Sequence, residues 1–284
     1  MTVENLAGPE APFTLGGKTA IVTGGGRGIG RAIVQLLSAA GANVLAADLD
    51  NEALEEMRAL IRHPNLVASI CGDLTNPLFP QQIVDTALND FNSIDIIVNC
   101  AGFSWDSVIQ KTSDEQFQAM LDIHVVAPFR LLRAASSYLR ESAKNEIAVG
   151  RRVMRKVVNI TSISGTDGNA GQAGYGASKA GVIGLTKALA KEWGRYNINV
   201  NAVGFGLIQT RMTQPLKPEE KISVGGKDIL IGVQPAMLES AVAECPLGRI
   251  GTPEEAAGTV LFFCSPLSDY VTGEVLICSG GYHF

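Results

Sequence analysis

Tyr175 and Lys179 are the two side chains whose types and spacing are best suited to proton chemistry. They lie four residues apart in the segment Tyr-Gly-Ala-Ser-Lys, so a helix would place them one turn apart on one face. An ammonium group beside a phenol favours the phenolate, so the lysine is expected to lower the pKa of the tyrosine. The pair therefore predicts a group that donates and accepts protons near neutral pH.

Ser162 precedes Tyr175 by thirteen residues and directly follows an apolar run, Lys156–Thr161, that is typical of a buried strand. Open α/β sheets bind ligands beyond the carboxyl ends of such strands, so the serine is placed where a substrate would lie. A tyrosine and a lysine with this spacing also occur by chance on protein surfaces. The strand, the serine and the glycine-rich turn described next make the functional interpretation the stronger one.

A glycine-rich turn near the N-terminus lies between a short strand, Lys18–Thr23, and a helix from about Arg31 to Ala40. Its glycines have the spacing G-x-x-x-G-x-G on Gly24, Gly28 and Gly30. Glycines let the backbone approach a pyrophosphate closely, and the helix N-terminus then faces the negative charge. Because the spacing is not that of the common dinucleotide fingerprint, a plain glycine turn is the alternative interpretation.

The second strand, Asn43–Asp48, ends in an acid. Asp48 follows Gly24 by twenty-four residues, close to the ~20-residue offset of the acid that binds the adenosine ribose. A carboxylate there repels a 2′-phosphate and so predicts NAD rather than NADP. Arg27 favours the opposite choice if its guanidinium pairs with such a phosphate; otherwise it is a solvated loop residue. Asp73, after the third strand, is a candidate partner of the adenine amino group or a turn acid.

Strand-like and helix-like segments alternate along the chain. This alternation predicts an α/β fold: a single-domain, Rossmann-type, doubly wound parallel sheet of about seven strands with helices on both faces. Residues 1–16 are expected to form an irregular lead-in and residues 17–284 the domain. Residues 211–246 contain prolines, mixed charge and two short helical patches, which predicts a substrate lid or a solvated insertion. A long helical pattern covers Thr112–Glu141.

Composition limits the partners that the chain can have. It has 284 residues, of which 46% are hydrophobic, with a net charge of −5 and no basic run, which argues against nucleic acid. No apolar run is as long as a membrane span and the N-terminus lacks a signal sequence, so a cytoplasmic protein without a membrane partner is expected. No residue group has metal-ligand spacing, so no metal is predicted. The odd number of scattered cysteines favours free, buried thiols: Cys71, Cys100, Cys245, Cys264 and Cys278.

Taken together, these motifs resemble the short-chain dehydrogenase/reductase family over about residues 17–284. The residues that carry the resemblance are Thr23, Gly24, Gly28, Ile29, Gly30, Asp73, Leu74, Asn99, Ala101, Gly102, Ser162, Tyr175 and Lys179. Within the family the chain resembles the 3-oxoacyl-acyl-carrier-protein reductase branch, through the segments Gly168–Gln172, Pro246–Arg249, Pro253–Glu255 and Tyr270–Gly273. Many relatives with other substrates share this scaffold.

The resemblance implies a role for each matching residue. Tyr175 would be the acid/base, Ser162 would polarise the substrate carbonyl, and Lys179 would bind the nicotinamide ribose and lower the pKa of the tyrosine. The nicotinamide carboxamide would meet Ile208 and Thr210, and the rest of the dinucleotide would meet Thr23, Gly24, Arg27, Gly28, Ile29, Gly30, Asp48, Asp73, Leu74, Asn99, Ala101 and Gly102. Family members are commonly homotetramers that pair the long helices and the last strand.

His124 stands where the family has its fourth catalytic residue, an asparagine in the long helix. The resemblance implies that this asparagine helps to hold a helix bulge and a water that relays protons to the lysine. An imidazole accepts and donates protons at neutral pH, so His124 is a candidate for the same relay; a neutral histidine that only fills the site is an equal alternative. Other departures are Cys100, Phe205 and the longer segments at 141–155 and 214–243.

The leading hypothesis is an NAD(P)(H)-dependent oxidoreductase that moves a hydride between nicotinamide and a carbonyl or secondary alcohol, with NAD preferred over NADP. A 3-oxoacyl thioester, of an acyl carrier or of coenzyme A, is the expected substrate; a small polyol, sugar or steroid-like alcohol is the alternative. A dinucleotide-binding regulator without turnover, and a hydro-lyase or epimerase, are hypotheses of other classes. The intact Ser162, Tyr175 and Lys179 favour an enzyme, since a pure binder needs no acid/base pair.

Overall fold

The computed structural model describes residues 13–217, 220–224 and 227–283. Most of the lead-in predicted at residues 1–16 therefore lies outside the described residues. The strands are β1 (Thr19–Thr23), β2 (Asn43–Asp48), β3 (Val67–Cys71), β4 (Ile96–Asn99), β5 (Arg155–Ser162), β6 (Ile198–Phe205), β7 (Lys221–Val224), β8 (Lys227–Leu230) and β9 (Val275–Cys278). The α-helices are α1 (Gly28–Ala39), α2 (Asn51–Ala59), α3 (Phe79–Phe91), α4 (Asp114–Leu121), α5 (Ala127–Ala148), α6 (Ile163–Thr166), α7 (Ala173–Trp193), α8 (Pro235–Glu244) and α9 (Pro253–Cys264).

Seven of these strands form one parallel sheet in the order β3-β2-β1-β4-β5-β6-β9. The chain runs outward from β1 to β3, crosses back to place β4 beside β1, and then continues outward on the other side. This reversal opens a crevice at the carboxyl ends of β1 and β4, where a doubly wound sheet binds its ligands. The predicted α/β fold and its seven-stranded sheet are thus confirmed.

Both faces of the sheet are buried, which explains why its central strands are almost continuously apolar. Every residue of β1, β5 and β6 is buried. On one face, Val22 of β1 belongs to a hydrophobic cluster with Phe263 of α9. The next residue, Ile21, points to the other face and belongs to a cluster with Leu131 of α5 and Trp193 of α7. Helices therefore cover both faces, as the sequence predicts.

The helical pattern at Thr112–Glu141 folds into two α-helices rather than one. Ser113 caps α4 in a capping box with Gln116. The segment Asp122–Val126 is π-helical, and α5 begins directly after it, with a proline in its first turn. The apolar pattern predicted the helical region correctly but did not show the change of winding, in which a π-turn adds one residue to a helical turn. The family resemblance alone implied a helix bulge at this position.

The region predicted to be a lid, residues 211–246, contains a β-hairpin that the sequence interpretation missed. Strands β7 and β8 pair antiparallel. Backbone N–H groups continue the pairing beyond them: Leu216 donates to Val233, Val233 to Gln214 and Ile231 to Glu220. The described residues of this region also form α8 and a single 3₁₀ turn at Arg211–Thr213. The signal was present, since a glycine pair separates two short runs with period-two alternation.

The longer segment before β5 is an extension of α5. Near the end of this helix, the carboxylate of Glu146 accepts two hydrogen bonds, of 2.7 and 2.8 Å, from the guanidinium of Arg155, which is 4% exposed at the start of β5. This bidentate pair fixes the helix end against the sheet. Neither α5 nor any other helix among the described residues is long and apolar enough to cross a membrane.

Candidate active site

The carboxyl ends of the central strands are tied together by a buried threonine. The hydroxyl of Thr23, at the end of β1, accepts hydrogen bonds from the backbone N–H groups of Cys100 and Ala101, at 3.1 and 3.2 Å. These two residues follow β4, so the hydroxyl fixes the edge of the crevice. The side-chain amide of Asn99, at the end of β4, donates instead to the side-chain oxygen of Asn159 at 2.8 Å. This bond links β4 to β5 within the sheet, next to the crevice.

The glycine-rich turn fits a pyrophosphate. A Cβ atom on Gly24 would lie 2.7 Å from the Cα of Ala101, and one on Gly30 would lie 1.9 Å from the carbonyl oxygen of Gly24, so neither position accepts a side chain. Helix α1 begins at Gly28, its N-cap residue Arg27 makes no capping hydrogen bond through its side chain, and no acid lies in the first turn. The N–H groups of the first turn are thus not claimed by a capping carboxylate, which is what an anion requires.

Asp48 is held in a defined orientation at the end of β2. One of its carboxylate oxygens accepts from the N–H of Gly26 at 2.9 Å, and the other accepts from the N–H of Asp50 at 3.1 Å. Arg27 is drawn away from this position: its guanidinium donates to Asp50 at 3.0 and 3.1 Å and to Glu56 at 3.3 Å. The region therefore presents a fixed carboxylate and a guanidinium that already has two anionic partners.

Helix α7 places Tyr175 and Lys179 one turn apart beside Ser162 at the end of β5. The Nζ atom of Lys179 lies 5.5 Å from the centroid of the Tyr175 ring and donates to the carbonyl of Ile160 at 2.9 Å. The Ser162 hydroxyl accepts from the N–H of Ser164 at 3.1 Å. The structure thus brings together the three residues that the sequence predicts to carry the chemistry.

The electrostatics of Tyr175 differ from the prediction. Burial raises the pKa of Tyr175 to about 12; a hydrogen bond with Ser162 opposes this rise, and Asp106 and Cys100 add to it. The expectation that Lys179 lowers the pKa of the tyrosine is therefore wrong for this structure. Burial also lowers the pKa of Lys179, to about 8, so the lysine is still mostly an ammonium at neutral pH and loses its charge only slightly above it. The phenol consequently keeps its proton and is a donor at neutral pH.

His124 lies against Tyr175. Its Nε2 atom is 2.8 Å from the carbonyl oxygen of Phe103, and the His124 and Tyr175 rings meet edge to face with centroids 5.2 Å apart. Burial lowers the pKa of His124 well below its ordinary value, and the charge of Lys179 lowers it further. The other two histidines, His63 and His283, are exposed.

A polar network at the mouth of the site was not singled out from the sequence. The side-chain oxygen of Gln172 accepts from Ser164 at 2.8 Å and from Asn169 at 3.1 Å, and its amide donates to Asp106 at 2.7 Å. Asp106 also accepts a hydrogen bond from Ser104. The network joins the loop after β4 to the residues before α7. The sequence analysis used the segment Gly168–Gln172 only as part of the family resemblance and assigned no role to Gln172.

The other residues predicted to contact the cofactor differ in their burial and in their neighbours. Thr210 approaches the glycine turn, since a Cβ atom on Gly28 would lie 3.3 Å from its methyl group. Ile208 is 4% exposed and pairs with Gly251, so its side chain belongs to the core. One oxygen of Asp73 accepts from the N–H and hydroxyl of Thr75 in a turn, and the neighbouring Leu74 is buried. Ile29 lies in the first turn of α1 and packs against the core.

Comparison with known proteins identifies the family to which this chain belongs. A family model described as enoyl-(acyl carrier protein) reductase matches residues 24–283. The crystal structure of a short-chain dehydrogenase/reductase from Brucella melitensis, described as a glucose/ribitol dehydrogenase, is similar with a TM-score of 0.77. It is 27% identical and the match covers 95% of this chain and 98% of that one. The chain belongs to the short-chain dehydrogenase/reductase family.

Several short-chain dehydrogenases/reductases of known name match nearly the whole chain. The 3-oxoacyl-[acyl-carrier-protein] reductase FabG of Vibrio cholerae is 33% identical over 271 residues, or 95% of this chain and 99% of the relative. The enzymes of that name from Thermotoga maritima and Chlamydia trachomatis are 33% and 35% identical, over 94% and 93% of this chain and 98% and 96% of the relatives. As a short-chain dehydrogenase/reductase, the chain is an NAD(P)-dependent oxidoreductase that acts on a carbonyl or an alcohol.

Proposed function

We propose that the protein reduces the ketone of a 3-oxoacyl thioester with NADH, and that Ser162, Tyr175 and Lys179 carry the reaction. The observation that supports this most directly is the arrangement in which α7 places Tyr175 and Lys179 one turn apart beside Ser162, which ends β5. The pKa of the Tyr175 phenol is raised to about 12, so the phenol keeps its proton. A protonated phenol beside a second hydroxyl suits a carbonyl oxygen that gains negative charge and then a proton.

Each residue has a separate task in the proposed reaction. The bound dinucleotide supplies the hydride. Ser162 donates a hydrogen bond to the substrate carbonyl oxygen, which orients the carbonyl and stabilises the charge that develops on it. Tyr175 donates its phenolic proton to the same oxygen. The ammonium form of Lys179, whose Nζ lies 5.5 Å from the centre of the Tyr175 ring, then stabilises the phenolate that is left.

The choice of NADH follows from the surroundings of the second strand. The N-terminal turn of α1 would hold the pyrophosphate and Asp48 the hydroxyls of the adenosine ribose. The carboxylate of Asp48 already accepts from two backbone N–H groups, so it is fixed where a 2′-phosphate would meet it. Arg27 is occupied by Asp50 and Glu56, which weakens the case for NADPH.

The hairpin supports an apolar substrate. Ile222 and Ile229 lie opposite each other across β7 and β8. Both pack with the hydrophobic cluster that contains Phe103, and the partly buried Trp105 and Tyr175 pack against the same cluster. An apolar wall suits an acyl chain better than a polyol, whose hydroxyl groups would lose their hydrogen bonds with water. The names of the FabG relatives agree with an acyl thioester, and that of the Brucella protein agrees with the polyol alternative.

Nicotinamide absorbance tests the proposed function. A short 3-oxoacyl thioester is offered to the wild-type enzyme with NADH and with NADPH, in parallel with ribitol and NAD as the competing substrate. Consumption of NADH that depends on the thioester is expected. Turnover of ribitol but not of the thioester would replace the acyl hypothesis with the polyol one. Binding of NADH without turnover of any carbonyl or alcohol would favour a regulator.

Replacing Asp48 by serine is expected to raise kcat/KM for NADPH relative to NADH by roughly 100-fold. The substitution removes a fixed negative charge that would repel the 2′-phosphate of NADPH. Like charges in close contact weaken binding by several kcal/mol, and about 1.4 kcal/mol corresponds to a tenfold change in affinity. Initial rates at several concentrations of each cofactor measure the change. Asp90→Ser, at an exposed position of α3, is the matched control and leaves the ratio unchanged. An unchanged ratio in Asp48→Ser would show that Asp48 does not select the cofactor.

We also infer a homotetramer that pairs the long helices and the last strand. Helices α4 and α5 expose Phe117 and Phe129, at 38% and 44% of their surfaces. Strand β9 is an edge strand of the sheet and exposes Leu276 at 40%. Exposed aromatic residues and a free strand edge are features that association covers. Light scattering is expected to give four times the chain mass of 29.9 kDa, and a monomer mass would contradict this inference.

A further inference from the structure

The backbone at His124 departs from α-helical geometry, at the junction between α4 and α5. His124 is the central residue of the π-helical segment Asp122–Val126, where the N–H of Ala127 donates to the carbonyl of Asp122. A π-turn adds one residue to a helical turn and so changes where the side chains point. Here the imidazole is turned into the protein against Tyr175, and only 3% of the residue is exposed.

The two ring nitrogens of His124 have different surroundings. Nε2 lies 2.8 Å from the carbonyl oxygen of Phe103, and because a carbonyl oxygen only accepts, Nε2 must carry a proton. In the neutral ring, Nδ1 then presents a lone pair. Nδ1 is buried and accepts a hydrogen bond from none of the described residues. Since an unsatisfied buried acceptor is costly, its presence beside the catalytic pair points to a functional role.

The imidazole also fixes the geometry of two neighbours. It meets the Tyr175 ring at an interplanar angle of 84°, a favourable edge-to-face contact. It lies so close to the backbone after β4 that a Cβ atom on Gly102 would be 2.3 Å from its Cε1 and 2.7 Å from its Nδ1. His124 thus holds together the α4–α5 junction, the loop of residues 101–103 and the catalytic tyrosine.

The charges around the imidazole oppose its protonation. On α7 it faces the Tyr175 phenol, which stays neutral, and the Lys179 ammonium, which repels a second positive charge. Beyond β4, burial raises the pKa of Cys100 to about 12, so that thiol is neutral too. Asp122, on the same segment, accepts from a glutamine one turn earlier. In addition, the proton on Nε2 faces a backbone carbonyl, which cannot accept it in a transfer.

We propose that His124 is a positioning residue that holds Tyr175 and the 101–103 loop in place and offers Nδ1 as a fixed acceptor, without itself carrying the transferred proton. The inference rests on the proposed function, because it concerns the same tyrosine. It argues against the proton relay, which is one of the two roles that the sequence left open for His124. The relay requires both ring nitrogens to exchange protons, and only one of them has a lone pair available.

Three substitutions separate the contributions of the ring. His124→Phe keeps the ring contact with Tyr175 but loses both nitrogens. His124→Gln keeps a donor for the Phe103 carbonyl, and His124→Asn keeps a polar atom near the position of Nδ1. We expect kcat to fall by about 10- to 100-fold in His124→Phe, since small misplacement of a catalytic group has effects of this size, with KM for NADH changed less than about twofold. His124→Gln and His124→Asn are each expected to recover part of the loss.

Spectroscopy of the wild-type protein decides the protonation state without any substrate. In ¹⁵N spectra of histidine-labelled protein, the ring nitrogens of His124 are expected to show the Nε2–H tautomer without change from about pH 5.5 to about 8.5. The exposed His63 serves as an internal reference. Titration of His124 in this range, or an unchanged kcat in His124→Phe, would overturn the proposal. If the wild-type enzyme turns over no carbonyl, the proposed function fails while the spectra still decide the state of His124.

Discussion

Replacing Tyr175 by phenylalanine is expected to lower kcat by roughly 10²- to 10⁴-fold while leaving the dissociation constant of NADH nearly unchanged. The phenol is the only group in the proposed mechanism that gives a proton to the carbonyl oxygen, and general acid catalysis contributes factors of this size. Its pKa, raised to about 12, keeps the proton on the wild-type phenol at neutral pH. Phenylalanine preserves the ring that contacts His124, so the fold and the cofactor site should persist.

Two measurements separate the loss of the proton from a general loss of structure. Nicotinamide absorbance gives kcat, and quenching or enhancement of NADH fluorescence gives the dissociation constant of the cofactor. Tyr270→Phe is the matched control, because the side chain of Tyr270 is fully exposed and its hydroxyl lies outside the site. If Tyr175→Phe kept a tenth or more of the wild-type kcat with the thioester, Tyr175 would not be the acid.

Replacing Lys179 by methionine is expected to abolish most activity and yet to stabilise the protein near neutral pH. Burial lowers the pKa of Lys179 from 10.5 to about 8, which means that the folded state holds this charge less favourably than the unfolded chain does. Methionine keeps the length of the apolar stem without the charge. The expected gain in the free energy of unfolding at about pH 7 is of order 1–3 kcal/mol, reduced by the lost hydrogen bond to Ile160.

The direction in which the stability of the wild-type protein changes with pH provides a check on this prediction. Below about pH 8 the lysine is charged in both states, so the wild-type protein bears the whole penalty. Between about 8 and the ordinary value of 10.5 the unfolded chain binds more protons, so the stability of the wild type rises with pH. The advantage of Lys179→Met should therefore shrink across that range.

Urea denaturation at several pH values measures the difference between the two proteins. Lys187→Met, at an exposed position of the same helix α7, is the control and should change neither activity nor stability by much. A Lys179→Met protein that is less stable than the wild type at about pH 7 would contradict the view that the ammonium is held at a cost. Stabilisation by loss of a catalytic group is a common consequence of functional strain.

The features that depend on neighbours along the chain could be predicted from the amino-acid sequence alone. Alternating strand and helix patterns predicted the parallel sheet, and the bounds predicted for β2, Asn43–Asp48, match the structure. The spacing of Tyr175 and Lys179 on one helical turn, and of glycines between a strand and a helix, follows from local geometry alone. Local periodicity is strong enough to place these residues because they lie on regular elements whose ends meet at one edge of a sheet.

The chemical behaviour of those residues depends on contacts that form when the chain folds. The contact of His124 with Phe103 spans 21 residues and that of Gln172 with Asp106 spans 66, so neither is visible as a spacing. The pKa of Tyr175 rises rather than falls, because burial outweighs the hydrogen bond with Ser162 that opposes the rise. Desolvation depends on everything that packs around a group, and this packing is a property of the folded chain as a whole.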